Sequence, residues 1–80
     1  VTRSLAIEYA SRGLRVNAVA LGVIQNPAYD PASYEGMADL HPLGRMGQIL
    51  DVVEGILYLE QASFVTGVVL HIDGGQAAGH

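Results

Sequence analysis

The run Arg15-Val16-Asn17-Ala18-Val19-Ala20-Leu21-Gly22-Val23-Ile24 narrows the possible folds more than any other part of the chain. From Leu14 to Leu21 it is nearly continuous in apolar residues, the pattern of a strand covered on both faces. A second apolar run, Val68 to Ile72, ends in Asp73-Gly74-Gly75, and a helical period lies between the two. Two such strands joined by a helix-containing crossover make a right-handed βαβ unit, so the fold class is α/β with parallel strands. Ligands of open α/β sheets bind beyond the carboxyl ends of the strands. Chemistry is therefore expected at Leu21 to Asn26. No side chain there is an obvious catalyst, so the segment reads as one wall of a site.

The remaining elements follow from spacing. Val1, Leu5 and Tyr9 recur every four residues with Ala6 and Ala10 beside them, one apolar stripe of a helix. Gly13 stands where a C′ glycine would end that helix. Asn17, alone among apolar neighbours, is expected to pair with nearby backbone or side chains, as buried polar groups do. Residues 25 to 47 hold all three prolines and exceed the usual connection of about 4–6 residues, which marks them as a lid or binding loop. A short helix is expected near Ser33 to Leu40, stopping by His41 because Pro42 follows. Ile49, Val52, Val53, Ile56, Leu57 and Leu59 describe a helix to Gln61 with one broad buried face. Asp51 suits its positive end, and Gly55 inside it implies a close approach to the sheet. Residues after Asp73-Gly74-Gly75 read as a small-residue tail.

Several function classes are excluded by composition. Of 80 residues half are apolar, ten are glycine and 15% are charged, the make-up of a folded core. Net charge is −4 and there is no lysine, so four scattered arginines cannot form a nucleic-acid surface. Without cysteine there is no disulfide framework and no thiolate site, as in a cytoplasmic protein, which is the location we expect. No signal peptide or membrane span is visible. Val1 stands first, inside a helical pattern with no cap before it, and two strands cannot cover themselves. We therefore read residues 1–80 as the C-terminal segment of a single larger domain.

Motif searches define what the segment does not supply. There is no Gly-x-Gly pair for a dinucleotide phosphate, no Tyr-x-x-x-Lys pair and no His-x-x-x-His. His71, within a strand, is expected to be a partly buried structural residue. For His41 a solvated or turn-stabilising role is favoured over a functional one, although catalytic groups gather on loops. Arg45, between turns, is expected to pin the loop through a carboxylate, with anion binding as the alternative. Tyr29 and Tyr34 either line a pocket or cover apolar surface.

Thr2-Arg3-Ser4-Leu5-Ala6-Ile7-Glu8, the run Arg15 to Ile24, His41-Pro42-Leu43-Gly44-Arg45-Met46-Gly47, Asp51-Val52-Val53 and Phe64-Val65-Thr66-Gly67 leading to Ile72-Asp73-Gly74-Gly75 together resemble the C-terminal third of a short-chain dehydrogenase/reductase. The resemblance spans the whole chain in order. It implies the C-terminal part of a Rossmann-type doubly wound parallel sheet, with the two strands as the last of the family's seven. It implies NAD or NADP as cofactor of the complete enzyme and a small carbonyl or alcohol as substrate. Backbone around Gly22, Val23 and Ile24 would meet the nicotinamide carboxamide, and residues 26–47 would form the substrate lid. The second helix and last strand would form a homo-oligomer interface. Two departures stand out. Leu21-Gly22 replaces the family's Pro-Gly, and Asn26 stands where a threonine usually helps hold the cofactor. The catalytic serine, tyrosine and lysine of the family have no counterpart here, so the segment alone is not expected to catalyse. An interaction or oligomerisation module derived from the same fold is the alternative.

Overall fold

The computed structural model describes residues 1–79; His80, the end of the expected small-residue tail, lies outside them. Helix α1 (Thr2–Ala10) leads through a turn to strand β1 (Ala18–Leu21). A single 3-10 turn (Pro31–Ser33) and the short helix α2 (Tyr34–Ala38) interrupt the long loop. Helix α3 (Ile49–Gln61), strand β2 (Val69–Ile72) and a last turn of helix, α4 (Gln76–Gly79), complete the order. β1 and β2 pair in parallel, with Ala18 opposite Val69 and Leu21 opposite Ile72. The α/β class and the parallel crossover are as the sequence predicts.

The strands are shorter than expected because side chains take over at their entrance. Asn17 donates through Nδ2 to the Val65 carbonyl at 3.1 Å, and its Oδ1 accepts the Val68 N–H at 3.0 Å. Val16 N–H donates to Thr66 Oγ1 at 3.1 Å. Gly67 turns through φ +76°. The ladder proper therefore starts at Ala18, whose N–H donates to Val68 O. Arg15 extends beneath α3 and donates to the carbonyls of Leu59, Glu60 and Val65 at 2.8–3.0 Å. It satisfies carbonyls that a helix end leaves open and places a cation at the negative end of the dipole. α1 ends at Ala10, and Gly13, at φ +74°, turns the chain three residues on.

Packing departs from the expected faces. α3 crosses the sheet at Gly55, where a Cβ would strike the Ile72 side chain, so the glycine does mark a close approach. Yet only a seam through Val52, Gly55 and Leu59 is covered, and Ile49, Val53, Ile56 and Leu57 are exposed. Two strands roughly 4.8 Å apart are narrower than a helix about 10 Å across. For the same reason β1 is half-buried rather than covered on both faces. On α1 the packed residue is Ala6, against Gly67, instead of the Val1–Leu5 stripe. The Cα radius of gyration is 15.1 Å, whereas a compact chain of this length has about 11.6 Å.

Candidate functional site

At the carboxyl end of the sheet the backbone after β1 forms a strap. Gly22 N–H still donates to Ile72 O at 3.1 Å. The strap then runs beside Met46 and Gly47, bridging Ile24 to Gly47 in parallel. Gly47 N–H donates to Val23 O at 2.9 Å, and Gln25 N–H donates to Gly47 O at 2.8 Å. Gly47 has no room for a Cβ, which would meet the Ile24 side chain. Gly22 has none either. A Cβ there would lie 2.7 Å from His41 Nε2 and 2.9 Å from Asp73 Cα.

This leaves a particular pattern of backbone groups. The N–H groups of Gly22, Val23 and Gln25 are all engaged, as is the Val23 carbonyl. Among the described residues the N–H and C=O of Ile24 make no hydrogen bond. A donor and an acceptor on one residue match a primary carboxamide, which offers one of each in return. Gly22 and Ile24 line two clefts, one of about 540 Å³ that continues past His41, Leu43 and Asp73, the other of about 420 Å³ bounded by Asn26, Pro27, Tyr29 and Ile49.

The loop supplies the rest of the wall. Asn26 Oδ1 accepts the Ala28 N–H at 2.9 Å, and the Asn26 carbonyl accepts that of Tyr29, which sharpens the turn. The amide NH2 of Asn26 makes no hydrogen bond among the described residues. Tyr29 lines the smaller cleft, and Tyr34 hydroxyl reaches the Asn26 carbonyl at 3.5 Å. Arg45 pins the loop, as expected, by a two-pronged contact with Asp51 at 2.9 and 3.2 Å. His71 differs from the expectation. Its side chain is 55% exposed, with Asp73 at 3.7 Å, because no element covers that face of β2. Asp73 caps α4 by accepting the N–H groups of Gly75 and Ala77. Those bonds, Ala77 first, hold its carboxyl below the usual range.

The Arg45 guanidinium, helped by the Gln48 N–H, holds the Asp51 carboxyl at about 2. The folded value lies below the ordinary one of about 3.9. Stability from this carboxylate is thus complete above about pH 4 and is lost as pH falls toward 2. A carboxyl-carbon NMR titration should find the low midpoint in the native protein. Arg45→Ala should move it up toward the ordinary carboxylate range.

His41, expected in solvent or at a turn, is 3% exposed. Val23 N–H donates to its Nε2 at 3.0 Å, and its Nδ1 lies 3.0 Å from the Met37 carbonyl. Nothing local in the sequence points to this burial, since the contact joins residues eighteen apart. Where a small-residue tail is expected, the chain forms α4, and Asp73 two residues before Gly75 is the capping signal that marks it. Among the described residues no cluster of His, Asp or Glu could hold a metal ion, and no helix is long and apolar enough to cross a membrane.

Comparison with known proteins follows the same lines. Residues 1–77 match the family described as enoyl-(acyl carrier protein) reductase. The chain is 39% identical over 82 residues to a glucose 1-dehydrogenase of Gluconobacter oxydans (strain 621H), covering 94% of this chain and 31% of that protein. It is 42% identical over 82 residues to 3beta-hydroxysteroid dehydrogenase 1 of Eggerthella lenta, with 94% and 31% covered. The solved structure of ElxO with NADP bound superposes with a TM-score of 0.86 at 35% identity, covering 96% of this chain and 34% of that one. The chain thus spans about a third of the length of these relatives.

Proposed function

The chain belongs to the short-chain dehydrogenase/reductase family, and from that premise we propose that it is the C-terminal segment of one NAD(P)-binding Rossmann-type domain. The complete enzyme transfers hydride between a nicotinamide and a small carbonyl or alcohol. The backbone N–H and C=O of Ile24, unpaired among the described residues, carry this reading. They suit the carboxamide of a nicotinamide, whose chemistry when bound is hydride donation or acceptance. Gly22 lets the strap lie close to the sheet end, Val23 fixes it from within, and the Asn26 amide replaces the family's threonine hydroxyl as a donor to the cofactor. Residues 27–47 shape the substrate pocket.

With no lysine, the chain provides no Tyr-x-x-x-Lys pair, so alone it does not catalyse. We place the protein in the cytoplasm, off membranes and nucleic acid. The exposed Leu50, Leu57, Tyr58 and Phe64 favour homo-oligomerisation through α3 and the β2 region. The same exposed residues favour the second reading, a non-catalytic interaction module. Sedimentation of the isolated 80-mer separates the two, because a compact small oligomer supports the module and an aggregating or molten chain supports the enzyme segment.

The direct test is to titrate 15N-labelled intact protein with NADH and with NADPH. The Ile24 amide should shift more than those of Val23 and Gln25, whose N–H groups are already engaged. An unmoved Ile24 at saturating cofactor would overturn the assignment.

A further inference from the structure

His41 is the buried ionisable side chain to which the proposed reaction gives no part. Its ring lies where three segments meet: the strap after β1, the end of α2, and the turn after β2. Gly22 packs on Nε2, and a Cβ at Gly74 would lie 3.2 Å from the His41 Cβ. Because Val23 N–H donates to Nε2, that nitrogen carries no proton, and neutral imidazole then holds its proton on Nδ1. Nδ1–H donates to the Met37 carbonyl, one turn back, at 3.0 Å. The ring is thus satisfied on both sides and has no hydrogen left for substrate.

We propose that His41 is a positioning residue, tying the lid helix α2 to the cofactor strap through one imidazole, so that Ile24 presents its backbone pair in a fixed orientation. The inference rests on the reading of the strap as the nicotinamide wall. Val23 is held at both of its peptides, the one before it by His41 at the Val23 N–H and the one after it by Gly47 at the Val23 carbonyl, and that second peptide carries the Ile24 N–H. Releasing the His41 bond frees the peptide before Val23 and leaves the peptide that carries the Ile24 N–H anchored through Gly47 alone. Order in the lid and affinity for cofactor are consequently linked, and by linkage each strengthens the other.

Two amide variants separate the two ties. A glutamine amide reaches the Nε2 position and can keep an acceptor for Val23, whereas an asparagine amide reaches only the Nδ1 position. In the intact protein His41→Asn should weaken binding of the preferred nicotinamide cofactor by about 10-fold, the effect of one buried hydrogen bond, and His41→Gln, which keeps the Val23 bond and gives up only the one to Met37, should lose a smaller part, about 3-fold. Equal losses in both variants would overturn the proposal. A long-range 1H–15N spectrum of the unsubstituted protein gives an answer even where a variant fails to fold: Nδ1–H supports the tie and Nε2–H overturns it. If the parent binds neither NADH nor NADPH, the reading of the site fails by itself. The tie is then decided by Val23 amide exchange without cofactor, which should be about 10-fold faster in His41→Asn than in His41→Gln. Equal exchange overturns it.

Discussion

Gly22→Ala should cost about 2–4 kcal/mol of stability and, at the proposed nicotinamide wall, at least about 10-fold in affinity for the preferred nicotinamide cofactor. The added carbon would lie 2.9 Å from Asp73 Cα, a backbone atom that cannot swing aside, and 2.7 Å from His41 Nε2. Overpacking of this kind costs about 1–3 kcal/mol. Moving the imidazole also breaks its bond with Val23, worth about another 1 kcal/mol. Gly36→Ala is the matched control. It lies in α2 with nothing within 4 Å of a Cβ, and should be neutral or gain up to about 1 kcal/mol from helix propensity. Chemical denaturation and cofactor titration of the three proteins side by side would read both effects. An unchanged Gly22→Ala protein would mean that the sheet ends part without cost.

Asn17→Ala should lose about 1–3 kcal/mol while leaving the strap after β1 chemically untouched. One side chain serves both strands' entrances, donating to Val65 O and accepting from Val68 N–H. Alanine strands the Val68 N–H and leaves the Val65 carbonyl to its bond from Arg15, and an unmet group of this kind costs about 1–3 kcal/mol. Asn17→Asp keeps the acceptor for Val68 but sets a carboxylate against the Val65 carbonyl, so it should fall between parent and alanine. Urea unfolding midpoints would rank the three. A loss under about 0.5 kcal/mol in Asn17→Ala would show that water takes over the Val68 N–H.

These two residues also mark what can be read from the chain before folding. Asn17 was legible because an amide among apolar neighbours must find partners. Gly22 was legible as the end of a strand, and Gly55 as a point of close approach. The βαβ order, the bounds of α3 and the Arg45 contact with a carboxylate were equally visible, since each rests on local period or charge. Burial was not. The expected broad face of α3 and the covered β1 assumed a partner surface that two strands are too narrow to supply. His71 was placed inside by its apolar neighbours, but the face it shares with Val69 has nothing packed on it. His41 was harder still, because its burial depends on where a residue eighteen positions earlier arrives. The backbone pair of Ile24 has no sequence signature, since every residue owns such groups and only the pattern of engaged neighbours singles it out.

The ties that hold β1 have a consequence for the order of assembly. Asn17 reaches Val65 and Val68 across 48 and 51 residues, and Arg15 reaches Leu59 across 44. None of these partners has emerged from the ribosome when β1 has. Within these 80 residues the ties of β1 to Val65, Val68 and Leu59 can form only after the loop and α3 are made, and parallel pairing over such separations is slow. The strap is therefore among the last parts of this segment to acquire its shape. Pulse-labelled hydrogen exchange should find α3 protected well before Val19 and Ala20.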